Sequence, residues 1–224
     1  MSVSGLAPLS QAEEEYVESI YKLTRNGRHA RTEEIASAVG VSAAAASGML
    51  KRLAGRGVVR YERYGGAELS EPGERAALGV IRRHRLTERL LTDILKIPWD
   101  SVHEQACRLE HAVLPQMEEG IEGALADATT CPHGNPIPNR DGALTEQAAC
   151  PLSDVDNGHK ARIVRIVHET AEFLHYLSSL GLLPQVEVEV ESKAPFSGPI
   201  IVRVGDAHYA LGREVAAAIM VAPA

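Results

Sequence analysis

The stretch RTEEIASAVGVSAAAASGMLKRLAGRGVV, residues 31–59, constrains the fold more tightly than any other part of this chain. Thr32 can cap a short helix through Val39, Gly40 breaks it, and Ser42 caps a second helix to about Arg56. A hydroxyl ahead of an apolar-periodic run satisfies free helical N–H groups, and glycine accepts the backbone conformation that ends a helix. This is the pattern of a helix-turn-helix. Upstream, Glu13 to Arg25 reads as an amphipathic helix with Val17, Ile20, Tyr21 and Leu23 on or near one face. Glu14, Glu15 and Glu18 are expected to be exposed at its start, where carboxylates suit the helix dipole. Downstream, VVRYERYGGAELSEPG gives a strand, a turn at Gly65-Gly66 and a return strand. Helix, helix-turn-helix and hairpin follow the order of a winged helix.

Charge supports an anion-binding role for this region. The formal net charge is −7, yet Arg25 to Arg63 holds Arg25, Arg28, Arg31, Lys51, Arg52, Arg56, Arg60 and Arg63 against Glu33, Glu34 and Glu62. That surplus of five positive charges leaves −12 on the remainder, which suits a basic module attached to an acidic body. The first part of the second helix, Ser42, Ala43, Ala44, Ala45, Ala46, Ser47 and Gly48, would enter a major groove. Direct readout is expected from Ser42 and Ser47 and from contacts of Ala43 and Ala44 with thymine methyls. Phosphate contacts are expected from Lys51, Arg52, Arg60 and Arg63, with Arg28 and Arg31 as contributors.

The second informative region runs from RRHRLTERLL to HEQACRLEH. His84 and Glu88 are four apart, and His103, Cys107, Glu110 and His111 follow i, i+4, i+7, i+8, so each set lines one helix face. Six such side chains on two helices point to a divalent-cation site. The helices are expected at Pro72–Lys96 and Asp100–Ala126, the second broken near Pro115. Leu86, Leu90, Leu91, Ile94, Leu95 and Trp99 supply more apolar surface than two helices bury, which points to a homodimer interface. Residues 128–158, rich in Pro, Gly, Asn and Asp, read as a linker, and Cys131 and His133 in CPH are taken as linker sequence because two ligands fall short of a tetrahedral set. From Lys160, ARIVRIVH, VEVEVES, GPIIVRVGD and HYALGREV read as strands and ETAEFLHYLSSLG as a helix, fitting a small SH3-like β-barrel. The resulting divisions are 1–71, 72–127, 128–158 and 159–224.

With 224 residues the chain has room for two or three small cores. No apolar run approaches ~18 residues and MSVSGLAPLSQ lacks a signal pattern, so a cytoplasmic location without membrane insertion is expected. Cys107, Cys131 and Cys150 form an odd, sparse set unsuited to a disulfide framework, which leaves Cys107 available as a ligand.

Taken together, EEEYVESIYKL, the winged helix, IRRHRLTERLLTDIL, VHEQACRLEH, GNPIP and the final SH3-like segment resemble the diphtheria toxin repressor family of metal-dependent transcriptional regulators, in its longer three-domain form. The fold so implied is mainly α with small β parts: an N-terminal winged helix, a helical dimerisation domain and a C-terminal SH3-like barrel. The resemblance implies a dimeric repressor of manganese or iron homeostasis genes that binds double-stranded operator DNA with Mn²⁺ or Fe²⁺ as co-repressor, at two metal sites per subunit. A primary site would use Glu15, Cys107, Glu110 and His111, with Glu18 a further candidate whose alternative is a solvated helix carboxylate. An ancillary site would use His84, Glu88 and His103, completed by Glu169 and Glu172. Glu15 stands where the iron-responsive pattern has a methionine, and Cys107 where the manganese pattern has a carboxylate, so the set is a hybrid. The competing readings are a winged-helix sensor of an organic ligand or of oxidation at Cys107, and a metallohydrolase, for which no HExxH-type motif or clear general base is present. No catalytic residue is assigned.

Overall fold

The structure is a computed structural model describing residues 7–25, 27–62, 65–125 and 128–224. It divides into two compact units: the described residues up to Arg83 together with Pro138–Ala143, and His84–Ile137 together with Leu144–Ala224.

In the first unit, helices α1 (Gln11–Thr24), α2 (Thr32–Val39) and α3 (Ala43–Gly55) are followed by strands β1 (Val59–Glu62) and β2 (Gly66–Leu69). The strands pair antiparallel, with Tyr61 opposite Ala67. Ala67 also bridges to Ala30, so a third short segment joins the hairpin. Gly66 permits this approach: its φ is +92°, and a Cβ there would lie 2.8 Å from the Ala30 carbonyl oxygen. Tyr16, Val17 and Ile20 of α1, Ile35 of α2, and Leu50 and Leu53 of α3 are buried together in one core. Gly40 ends α2 at φ +72°, as its position requires. Ser42 caps α3 by accepting from the Ala45 amide at 3.2 Å. Thr32 is the first residue of α2 rather than its cap, because the Glu34 carboxylate takes the Arg31 amide at 2.9 Å and frees the Thr32 hydroxyl for another partner.

Glu13, which the periodicity of α1 does not single out, is 1% exposed. Its Oε2 accepts from the Ser10 amide and hydroxyl, both at 2.9 Å, and from Arg56 Nη1 at 2.7 Å, while Arg52 Nε lies 3.3 Å from Oε1. One carboxylate therefore caps α1 and ties it to the end of α3. Burial alone would raise the Glu13 carboxyl, but donation from Arg56 and Ser10 outweighs it and holds the group at about 2. The folded value lies below the ordinary 4.5, so the stabilisation is complete above that pH and is lost as pH falls toward the folded value. Glu13→Gln is expected to destabilise this unit by roughly 1–3 kcal/mol at neutral pH. The gap from the wild type should close on acidification, read by hydrogen exchange at the amides of α1 and α3; a gap independent of pH would show that the charge is not the source.

Helix α4 spans Glu71–Arg89 and continues as a π-helical turn, Leu90–Ile94, closed by the Leu95 amide on the Leu90 carbonyl. The expected helix to Lys96 therefore changes pitch five residues before Leu95. In the second unit α5 (Val102–Leu109) tightens into a 3₁₀ turn at Glu110–Ala112, and α6 (Pro115–Ala124) begins with Pro115 in its first turn. The break foreseen at Pro115 thus falls at Val113 and Leu114.

The rest of this unit is a six-stranded antiparallel sheet in the order β3-β8-β4-β5-β6-β7: β3 Cys150–Pro151, β4 His159–Ile166, β5 Glu187–Lys193, β6 Ile200–Val204, β7 Ala207–Leu211 and β8 Ile219–Pro223. Helices α7 (Ala171–Ser179) and α8 (Arg213–Ala217) complete it. Leu152, Ile163, Ile166, Leu174, Leu177, Val188, Val202 and Ile219 are among its core residues. HYALGREV is not one strand: it passes from β7 into α8 at Gly212, and β8 follows. Trp99 packs against this core rather than on an outer face, whereas Ile94, Leu95, Leu109, Leu114 and Met117 remain exposed. No helix among the described residues is long and apolar enough to cross a membrane.

Candidate functional site

The second unit gathers ligand-bearing side chains from four segments. His84 and Glu88 come from the last turns of α4, His103 and Cys107 from α5, Cys131 and His133 from the chain before GNPIP, and Glu169 from the connection after β4. Glu88 Oε1 lies 3.0 Å from His84 Nε2, 2.9 Å from His103 Nδ1 and 3.3 Å from His133 Nδ1. Glu169 Oε1 lies 3.5 Å from the same His133 nitrogen. Ligand atoms of Glu88, Cys131, His133 and Glu169 all fall within 4.8 Å of one another, and so do those of His84, His103 and Cys107.

The reading of Cys131 and His133 as linker sequence is corrected here: both are buried, at 1% and 0% exposure. The segment is held by backbone bonds. Cys131 N donates to Asn135 O at 2.8 Å, Gly134 N to Cys131 O at 2.9 Å, and Ile166 N to His133 O at 2.9 Å. Asn135 Nδ2 donates to Ile166 O and to Glu169 Oε1, and the Trp99 indole donates to Pro132 O at 2.8 Å. Gly134, at φ +85°, is what admits the chain so close to β4. The signal available in the sequence is the Gly134-Asn135-Pro136 turn chemistry beside Cys131 and His133, which marks an ordered turn.

Among the residues expected at the primary site, Glu110 is buried, contacts His84 Nδ1, and lies 3.3 Å from His111 Nε2 through its other oxygen. Cys107 Sγ is 3.9 Å from His84 Nδ1 and 3.7 Å from His103 Nε2. His84, assigned to the ancillary set by resemblance, therefore touches both groups. Glu172 is exposed in the first turn of α7 and stands outside the four-ligand group. Glu15 and Glu18 lie on α1 in the first unit and are half-buried rather than exposed; Gln11 donates to Glu15, and Lys22 pairs with Glu18 at 2.8 Å.

The electrostatics of the cluster favour a cation. Burial alone would lower His133, but Cys131, Glu169 and Glu88 reverse this and hold its imidazole protonated far above the ordinary range. Burial would likewise lower His103, yet Cys107 and Glu88 raise it to about 9. Burial would raise Glu88, and the surrounding imidazoles hold it well below the usual carboxylate range. Cys107 is lowered to about 7 by His103 and His84, against the effect of burial. Glu88 Oε2 and His133 Nδ1 are buried without an adequate hydrogen bond, a costly state that an ion between them would relieve. Two carboxylates, an imidazole and a thiol match a borderline first-row divalent ion better than Mg²⁺ or Cu⁺. The residues fit a metal, and its binding must displace protons.

In the reading head of the first unit, Ala43, Ala44 and Ser47 of α3 line an open groove together with Thr32, Tyr61 and Gly66. Ser42 is occupied as the α3 cap. Lys51 is exposed. Arg31 and Arg28 pair with Glu34, Arg60 with Glu68 at 2.6 Å, and Arg52 with Glu13. Arg63 lies outside the described residues.

Three family profiles match in sequence order: iron dependent repressor, N-terminal DNA binding domain, at residues 8–67; iron dependent repressor, metal binding and dimerisation domain, at 70–139; and FeoA domain, at 150–223. The chain is 31% identical to the iron-dependent repressor IdeR of Mycobacterium tuberculosis, over 93% of this chain and 95% of that protein. This chain belongs to the iron-dependent repressor family. The diphtheria toxin repressor of Corynebacterium diphtheriae is 33% identical over 74% of this chain and 78% of its own. Among solved structures, a manganese-dependent transcriptional repressor in complex with manganese is 32% identical with a TM-score of 0.86, covering 95% of this chain and all of that one. The IdeR of T. acidophilum is 28% identical with a TM-score of 0.79, covering 97% of this chain and 100% of that one. The antiparallel sheet of the second unit is thus the FeoA, SH3-like part of an iron-dependent repressor, and the reading head lies within the span matched by its DNA-binding profile.

Proposed function

We propose that this iron-dependent repressor family member is a homodimeric, metal-dependent DNA-binding transcriptional repressor, with Mn²⁺ or Fe²⁺ as co-repressor and double-stranded operator DNA as its target. The observation that carries the reading is the group of Glu88, Cys131, His133 and Glu169, three of them buried and Glu169 half-buried, in which Glu88 Oε2 and His133 Nδ1 make no hydrogen bond, in a chain that also carries a winged helix. A bound divalent ion would replace the protons on the imidazoles as the positive partner of these carboxylates and give the segments bearing them a shared attachment. Glu88 joins the end of α4 to α5 through His103 and to the 131–135 turn through His133. Glu169 holds that turn through Asn135. We assign control of DNA binding to Glu15, Cys107, Glu110 and His111, with Glu18 a further candidate, and a supporting role to His84, Glu88, His103, Cys131, His133 and Glu169. Exposed Ile94, Leu95, Leu109, Leu114 and Met117 supply apolar surface for the second copy. The protein acts in the cytoplasm, and no residue is given a catalytic role.

The test is operator binding by purified protein under reducing conditions, with and without chelator, metal by metal. Chelation should weaken binding by roughly 5- to 150-fold, the range of ordinary allosteric coupling, and Mn²⁺ or Fe²⁺ should restore it. Equal affinity in both states would sink the reading.

A further inference from the structure

We propose that Tyr61 is a specificity-determining residue of the reading head, acting as a positioning residue that fixes the hydroxyl of Ser47 toward the operator base it reads. This rests on the DNA-binding reading above.

The exposed first turns of α3 offer Ala43, Ala44 and Ala45, which carry no polar side-chain atom, and the Ser42 hydroxyl is oriented by its own helix, accepting from the Ala45 amide. Ser47 is the hydroxyl of this segment whose orientation is set from outside the helix. A serine inside a helix can turn its hydroxyl back to the carbonyl four residues earlier, here that of Ala43. In this structure it does not. The Ser47 hydroxyl lies 3.2 Å from the phenol oxygen of Tyr61, which comes from strand β1. The same phenol oxygen is 3.4 Å from the Thr32 hydroxyl at the start of α2.

Three hydroxyls from the recognition helix, the hairpin and the preceding helix thus meet at the groove. A phenol has one proton to donate and oxygen lone pairs to accept with. When Tyr61 donates to Thr32 it accepts from Ser47, leaving Ser47 to present its lone pairs; when it donates to Ser47, the serine proton is free for a base acceptor. In both arrangements Tyr61 restricts the rotation of the Ser47 hydroxyl. Phenylalanine keeps the ring but loses the anchor, and the serine then returns to its own helix.

The experiment uses the full-length, metal-loaded protein and an operator selected by it from a random pool. Wild type, Tyr61→Phe, Ser47→Ala, Thr32→Val and the Tyr61→Phe/Ser47→Ala pair are compared on every single-base variant of that operator. Ser47→Ala should reduce discrimination at the base pairs it contacts by roughly three- to tenfold, the worth of one hydrogen bond. Tyr61→Phe should relax the same base pairs by a similar factor, and the double variant should relax them no further than Ser47→Ala. Thr32→Val should shift the preferred base at those pairs while leaving the others unchanged. The proposal is overturned if Tyr61→Phe keeps the wild-type profile, relaxes other base pairs, or weakens all variants by one common factor, as loss of hairpin stability alone would do. It is also overturned if Ser47→Ala changes no base preference. Absence of metal-dependent binding by the wild type would instead bring down the functional reading on which it rests.

Discussion

Replacing His133 with alanine is expected to remove about one equivalent of metal from each subunit, whereas replacing Glu172 is expected to remove none. His133 is fully buried between Glu88 and Glu169, and Cys131 reaches the same point from two residues away. Truncating it deletes one ligand of four and leaves buried Glu88 and half-buried Glu169 without the imidazole between them. The loss of affinity should exceed the roughly 10- to 100-fold that follows removal of an outer-shell partner. Glu172 is exposed on α7 and touches none of the four. Metal content after gel filtration, together with Mn²⁺ titration calorimetry, reads both variants, and Trp99 fluorescence reports whether the fold persists. Metal retained by His133→Ala and lost by Glu172→Ala would restore the ligand set that resemblance alone implied.

Gly134→Ala should be among the most damaging single-methyl additions in this chain. A Cβ at Gly134 would lie 2.0 Å from the Val164 carbonyl oxygen and 2.8 Å from Arg165 Cα, both backbone atoms that cannot swing aside, at φ +85°. Strand β4 or the 131–135 turn must then move, and with it the bond from Ile166 N to His133 O. A cost of about 3–5 kcal/mol is expected from the overlap and the backbone strain together. Gly158→Ala is the control: its φ is +77°, but no atom lies within 4 Å of the added carbon, so only the backbone penalty of about 1–2 kcal/mol remains. Urea unfolding followed through Trp99, which sits against Pro132, separates the two. Equal losses would mean that close approach is not why glycine stands at 134. Metal content should fall with Gly134→Ala, because the turn that carries Cys131 and His133 is the part displaced.

Much of this architecture could be read from local chemistry. Gly40 and Ser42 mark their turn because an αL stop and an N-cap are properties of single residues. His84, Glu88, His103 and Cys107 could be found because helical spacing alone puts them on shared faces. What escaped was non-local. Cys131 and His133 are ligand candidates only once Gly134 has brought their segment against β4, and no periodicity announces that. Glu13 looks like any first-turn carboxylate until Arg56, 43 positions away, is folded onto it. Trp99 has the texture of an interface residue, yet it packs on the FeoA sheet through contacts that only tertiary structure creates. Strand β8 was hidden for a different reason: Gly212 turns β7 into α8, and a brief helix interrupts the alternation from which strands are recognised.

The arginines of the reading head carry a consequence for how the protein meets its target. Arg31 and Arg28 share Glu34, Arg60 holds Glu68, and Arg52 reaches Glu13. A phosphate that recruits one of these guanidinium groups must draw it from a partner already in place, and the carboxylate left behind repels the same strand. Contact becomes an exchange of anions instead of a simple gain, so fewer dissolved ions change state per arginine engaged. The fall of log affinity with log salt should then be shallower than a count of basic residues implies. Random duplex, which offers charge and little else, gains least from such a surface, and discrimination between sites benefits from a protein that carries its own competitors.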